Sequence, residues 1–179
     1  MGAHLLLLEP SEQIVHKEPL LEAYQRELAY IFHALRWLGA RPHEIEDLAQ
    51  EVFIALGRTW SRYDASRPLR PYLFGVAFRI VSMQRRKRKH EVAFATIEIR
   101  DWRPTPDEAL QTKQTRATVL RALEKIPLRR RAVLVMHDLD EVPMIQVAAA
   151  LSIPLFTAYS RLRKARAELE ATLRRGTKT

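Results

Sequence analysis

The sequence contains no cysteine, only 5 glycines in 179 residues, and no long apolar run near its start. Without cysteine, a disulfide scaffold, a thiolate metal site and a cysteine nucleophile are excluded, and a reducing compartment is favoured. The scarcity of glycine disfavours a turn-rich all-β fold. The run Leu5 to Leu8 is too short to cross a bilayer or to form the core of a signal peptide. We therefore expect a cytoplasmic protein with no membrane insertion.

Basic residues outnumber acidic residues, 30 to 21, which gives a net charge of +9 and a pI near 10.2. The excess is uneven along the chain. Residues 1–92 carry 14 basic and 11 acidic side chains, residues 93–115 carry 3 and 4, and residues 116–179 carry 13 and 6. Two basic blocks therefore flank a slightly acidic middle, and a polyanionic partner is expected, either nucleic acid or an acidic membrane surface.

Apolar residues recur every three or four positions through most of the chain, which predicts amphipathic helices. Three such helices fall within residues 16–92, and a second group falls within residues 113–175. Residues 93–112 show no sustained period and include two prolines, so they are interpreted as a linker. The predicted fold is all-α, with two small helical domains joined by a linker and a helix-turn-helix in the second domain.

The helix-turn-helix prediction concerns residues 143–166, where a short apolar helix, the turn Ser152-Ile153-Pro154 and a basic helix follow one another. In such a motif the first helix supports the second in the major groove of DNA. The candidate contact residues on the second helix are Phe156, Thr157, Tyr159, Ser160, Arg161, Arg163 and Lys164. The alternative is an ordinary helical hairpin with a solvated basic face.

Two further clusters stand out in the first block. Arg85–Lys89 are five consecutive cations after a helix that carries aromatic residues, and charge beside a stacking surface suits unstacked single-stranded bases. The alternatives are a solvated charge run and aromatic residues that belong to the core. Glu44, Glu46, Asp47 and Glu51 form an acidic cluster that suits a basic protein partner. A metal pair at His43 and Glu46 is a weaker alternative, because a helix N-terminus alone attracts acids.

Motifs for nucleophilic catalysis, for phosphate-cradling glycine loops and for dinucleotide binding are absent from the sequence. We expect no catalytic residue, no cofactor and no resident metal.

Three motifs in order resemble the sigma factors of bacterial RNA polymerase. The stretch from Ile45 to Leu56 resembles their core-binding helix, and Arg67 to Ala77 with the following basic run resembles their promoter-melting helix. Leu123 to Pro127, then Ala150 to Arg166, resembles their C-terminal helix-turn-helix. Order, spacing and length together resemble the extracytoplasmic-function, or group IV, sigma factors over about residues 16–175.

The resemblance implies a sigma region 2-like domain at 16–92, a linker at 93–112 and a sigma region 4-like domain at 113–175. It implies a non-catalytic protein that binds the clamp and flap regions of core polymerase and binds promoter DNA, with an anti-sigma factor as a further candidate partner. The implied core-binding residues are Asp47, Gln50 and Glu51. The implied minus-ten residues are Tyr72, Phe78, Arg79, Arg85, Arg86 and Arg88. The implied minus-thirty-five residues are the seven on the second helix of the helix-turn-helix.

The sequence departs from the family pattern where bases would be read. Many relatives have Arg-Asn where this chain has Phe78-Arg79. Ser152 and Phe156 stand where the family often has glycine, and Tyr159 stands where it has lysine. We expect an altered base preference rather than an altered fold.

Two other functions stay open at this stage. A stand-alone helix-turn-helix regulator would bind duplex DNA without polymerase, but it leaves the first domain unexplained. A metal-dependent nuclease would use the acidic cluster and would cleave DNA.

Overall fold

The computed structural model describes residues 18–92 and 110–176, and these residues form seven α-helices. The helices are α1 (Leu20–Trp37), α2 (Ile45–Thr59), α3 (Leu69–Val92), α4 (Leu110–Glu124), α5 (Leu128–Leu134), α6 (Met144–Ala150) and α7 (Leu155–Gly176). Short 3₁₀ turns at Pro42–Glu44 and Trp60–Arg62 precede and follow α2. The all-α, two-part architecture predicted from the sequence is confirmed.

Helices α1, α2 and α3 pack together as the first unit. Ile31 and Leu35 of α1 and Val52 of α2 are almost fully buried, as their helical spacing predicts. The Tyr24 hydroxyl adds a specific contact, because it donates a hydrogen bond to the carbonyl of Ala49 at 2.9 Å. This packing leaves one face of α2 exposed to solvent.

The end of α1 is set by Gly39, which has a positive φ of 81°. The amide of Gly39 donates to the carbonyl of Arg36, and the amide of Ala40 donates to that of Leu35. This pair of bonds is the Schellman ending of a helix, which needs a residue in the left-handed region that glycine adopts at no steric cost.

Helices α4 to α7 form the second unit. Helix α5 continues into a π-helical turn at Val135–Leu139, and α7 turns Ala158, Leu162 and Ala165 inward. In the last turn of α7, Thr172 is buried, whereas Leu173 is 37% exposed. Helix α4 begins at Leu110, three residues before the predicted start of the second domain, and the rest of the predicted linker lies outside the described residues.

The two units pack against each other through α3 and α6. Five consecutive residues of α3, Leu73 to Ala77, are buried, so this part of the helix has no solvent face. The backbones of the two units lie close together at Gly75, where a Cβ atom would overlap the carbonyl oxygen of Ala150. The buried residues of both units therefore form one continuous core.

The turn between α6 and α7 repeats the Schellman ending with a serine in place of glycine. The amides of Ser152 and Ile153 donate to the carbonyls of Ala149 and Ala148, and Ser152 has φ 53°. A side chain in the left-handed region costs roughly 1–2 kcal/mol.

We predict that Ser152→Gly stabilises the protein by roughly 0.5–1 kcal/mol, because relief of this strain outweighs the extra chain entropy of glycine. Urea unfolding followed by circular dichroism measures the change. The control is Ala149→Gly at an exposed position inside α6, which should destabilise by about 1 kcal/mol. Equal destabilisation by both variants would show that the backbone at Ser152 is not strained.

We predict that Gly75→Ala separates the two units, because its methyl group would overlap the Ala150 carbonyl while favouring α3 itself. Small-angle X-ray scattering should show a larger radius of gyration with helicity unchanged. Gly57→Ala in α2 is the control, since its Cβ would meet only Leu20, at 3.6 Å. An unchanged radius for Gly75→Ala would show that this contact does not set the docking.

Candidate nucleic-acid interface

The acidic face predicted for a protein partner lies on α2. Asp47, Gln50 and Glu51 are all exposed, while Leu48 and Val52 on the opposite side are buried. The helical period places the three polar residues together. This face is therefore rigidly held by the core of the first unit and open to solvent.

An aromatic row precedes and joins the start of α3. The rings of Trp60 and Tyr63 stack with centroids 5.1 Å apart, and those of Tyr63 and Tyr72 are 4.9 Å apart. The Tyr72 hydroxyl lies 2.5 Å from the Thr59 hydroxyl. Tyr72, like Trp60 and Tyr63, is half-buried. Two turns further along α3, Phe78 is half-buried and Arg79 is exposed.

The basic run is part of α3, and its arginines do not share one role. Arg85 turns inward and donates to the carbonyls of Leu38 and Gly39 at 2.9 and 3.2 Å. Burial and the charge of Arg88 lower the pKa of Arg85. Arg88 forms an ion pair with Glu44 at 3.3 Å. Arg86 is exposed. Sequence reasoning treated these arginines alike and missed the two internal contacts.

Arg131 is a buried cation that the sequence analysis did not single out. It is 1% exposed, and it donates to the carbonyls of Glu124 and Ile126 at 2.7 and 3.1 Å. Its Nε and Nη1 atoms have no hydrogen-bond partner. Burial, together with the charge of Arg85, lowers the pKa of Arg131 to about 10. The sequence did carry a signal for this burial, because Arg131 occupies a position of the apolar period of α5 at which a core residue is expected.

Helix α7 presents the seven residues predicted to contact DNA on two faces. Phe156, Tyr159 and Arg163 are exposed, and Phe156 is the most exposed at 83%. The other four follow the spacing i, i+3, i+4, i+7, and they turn toward the first unit. These four are Thr157, Ser160, Arg161 and Lys164.

Between the units lies an open cleft of about 680 Å³. Ser82, Arg85 and Arg86 of α3 line one side, and the cleft-facing residues of α7 line another. Arg129 and Arg130 of α5 complete it. Burial and the charge of Arg129 lower the pKa of Arg161. The structure thus brings together residues predicted for two separate DNA elements, which sequence reasoning did not foresee.

A polar contact also joins the two units. The Tyr30 hydroxyl donates to Asp140 at 2.8 Å, and the Arg70 guanidinium lies 5.2 Å from the centre of the Tyr30 ring. Arg70 is itself held by Glu27 at 2.8 Å. Burial raises the pKa of Asp140. The π-helical turn that ends α5 delivers Asp140 to this position.

Within the described ranges, no three His, Asp or Glu side chains lie close enough together to hold a metal ion. Nor does any helix in that part of the chain combine the length and apolarity needed to cross a membrane.

Comparison with known proteins identifies both units. The chain matches Sigma-70 region 2 over residues 20–91 and Sigma-70, region 4 over residues 116–169. Among curated proteins it is 26% identical to the ECF RNA polymerase sigma factor SigW of Bacillus subtilis (strain 168), covering 78% of this chain and 80% of SigW. It is 24% identical to the RNA polymerase sigma factor NccH of Alcaligenes xylosoxydans xylosoxydans, covering 86% and 84%.

Among solved structures, the chain is similar to the sigma factor RpoE from Bartonella quintana, crystallised with the anti-sigma factor NepR. The TM-score is 0.67 at 22% identity, covering 86% of this chain and 98% of RpoE. This likeness concerns the fold.

Proposed function

Because the chain belongs to the extracytoplasmic-function sigma factors and is thus an RNA polymerase-binding, promoter-recognising protein, we propose which surfaces perform each step. The observation that carries the proposal is the pairing of an exposed acidic face on the first unit with a basic recognition helix on the second. We assign no catalytic step to the chain.

The proposed polymerase contact is the face of Asp47, Gln50 and Glu51, and its partner is a basic surface on the polymerase clamp. Opposite charges across an interface steer association and fix orientation. The flap is the proposed contact of the second unit.

The proposed minus-ten contact comprises Tyr72, Phe78, Arg79, Arg85, Arg86 and Arg88. The aromatic row at Tyr72 supports it, because a base leaving the duplex needs a stacking surface in return for the stacking it loses. Arg86 is well placed to hold the phosphate backbone, since it is exposed on the same helix. Arg85 and Arg88 would have to leave their present partners to do so.

The proposed minus-thirty-five contact comprises the seven residues of α7. Phe156 and Tyr159 are suited to apolar contact with thymine methyl groups, and the cations are suited to guanine edges and phosphates. The two elements are about 25 base pairs apart, or roughly 85 Å of duplex. Arg85 and Arg86 of the minus-ten set line the same cleft as five of the seven minus-thirty-five residues, so we infer that the two units separate when the promoter is bound.

The same proposal implies one further partner and a location in the cell. The similar RpoE structure contains an anti-sigma factor, and a protein of that class is a proposed partner of this chain. The cytoplasm is the proposed location, since core polymerase and promoter DNA are there. A stand-alone regulator would bind duplex DNA without core polymerase, so co-elution with the core enzyme separates that alternative.

We predict that Asp47→Arg with Glu51→Arg weakens binding to core polymerase by on the order of tenfold, about 1.4 kcal/mol, because like charges would then meet. A fluorescence titration against purified core enzyme measures it. Glu22→Arg, a single charge reversal of the same kind at an exposed position of α1, is the control and should have little effect. Unchanged affinity for the double variant would refute the assignment.

We predict that Arg161→Ala lowers promoter selectivity by about 1–3 kcal/mol if it reads a base, whereas Lys164→Ala weakens all sequences alike and reduces the salt dependence. Holoenzyme binding to a promoter library at several salt concentrations separates the two effects. Arg175→Ala, an exposed arginine near the end of α7, is the control. If both cleft variants bound promoters as the parent chain does, the assignment of α7 as the recognition helix would be wrong.

A further inference from the structure

The cleft between the units concentrates positive charge that the protein does not neutralise. Its cations are Arg85, Arg86, Arg129, Arg130, Arg161 and Lys164, and its lining includes no acidic residue. Arg130 pairs with Glu168, but no ion pair within the described part of the chain engages the other five. Each unit supplies some of these cations, so the site exists only when the units are packed together.

Two of the cations lie in surroundings that disfavour their charge. Burial lowers the pKa values of Arg85 and Arg161, and a second arginine of the same unit, Arg88 and Arg129 respectively, lowers them further. An anion bound in the cleft would contact cations of both units at once, and it could do so only in the packed arrangement. A ligand that binds one arrangement alone stabilises that arrangement by mass action.

The shape and lining of the cleft define the class of anion. Its volume of about 680 Å³ suits a small ligand. The five cations without an ion pair favour a ligand with densely placed negative charges, and the fork of an arginine guanidinium matches phosphate oxygens. The hydroxyls of Ser82, Thr157 and Ser160 add hydrogen-bond donors. The ring of Phe156 stands at the rim, 83% exposed, where a base can stack on it.

We propose that this cleft binds a nucleoside polyphosphate, with its phosphates on the arginines and lysine and its base on Phe156. The bound ligand holds the two units together and covers the DNA-reading face of α7. Promoter binding and nucleotide binding are then mutually exclusive. The competition rests on the proposed function, whereas the binding site itself does not.

Calorimetric titration of the full chain at fixed ionic strength tests the site, with guanosine triphosphate, inorganic tripolyphosphate and guanosine as probes. We expect the triphosphate to bind tightest, tripolyphosphate more weakly and guanosine not at all. Arg129→Ala should weaken both phosphate probes about fivefold or more. Phe156→Ala should weaken only the nucleotide, because tripolyphosphate has no base to stack.

Two matched variants separate this proposal from the proposed function. Arg129 lines the cleft but is outside the proposed DNA-reading set, so Arg129→Ala should lose nucleotide binding and keep promoter binding. Arg163 belongs to the DNA-reading set but does not line the cleft, so Arg163→Ala should do the reverse. Gly75→Ala touches no ligand, but it should weaken the nucleotide by separating the units.

Three outcomes would overturn the proposal. One is absence of nucleotide binding by the parent chain, even if Arg163→Ala still impairs promoter binding. Another is equal loss of nucleotide affinity in Arg129→Ala and Arg163→Ala, which would indicate a general basic surface. The third is tight binding of an acidic peptide such as polyglutamate with no binding of the triphosphate, which would assign the cleft to a protein partner.

Discussion

The backbone of α3 lies against the carbonyl of Ala150 at Gly75, where no Cβ atom could be accommodated, and the other contacts between the two units accompany this close approach. In this arrangement the Tyr30 hydroxyl reaches Asp140, and α7 faces the basic part of α3. A glycine in a helix interior costs about 1 kcal/mol of helix stability. That cost is offset by the apolar burial of the five-residue stretch from Leu73 to Ala77.

The interface between the two units combines apolar attraction with charge repulsion, and this balance suits an interface whose two sides can separate. Arg85 and Arg131 crowd the backbone of Gly39 from two different helices, and burial lowers the pKa of each. Carbonyl groups at the ends of α1 and α4 accept their hydrogen bonds, as expected where helix dipoles place negative partial charge. Neutral carbonyls do not cancel the two charges, so the packed arrangement retains a repulsive component.

The helices were predictable from the sequence because most of them bury one face and expose the other, as α1 does with Ile31 and Leu35. The docking of the two units was not predicted, although α3 carried a signal for it. A surface helix needs a polar side, and Leu73-Phe74-Gly75-Val76-Ala77 has none. The separate roles of Arg85, Arg86 and Arg88 were beyond sequence reasoning, because five adjacent cations have the same composition whichever way each one turns. The left-handed backbone at Ser152 was also not predictable, because a serine in the sequence does not indicate a positive φ.

The apolar stretch of α3 also has a consequence for synthesis of the chain. The ribosome adds Ala150 roughly 75 residues after Gly75, which at about 5–20 residues per second takes on the order of 4–15 seconds. In the later part of that interval α3 can pack against α1 and α2, yet the side of α3 that α6 will cover faces water. The nascent first half then presents an apolar strip to the crowded space around the ribosome, where it is exposed to aggregation and to chaperones.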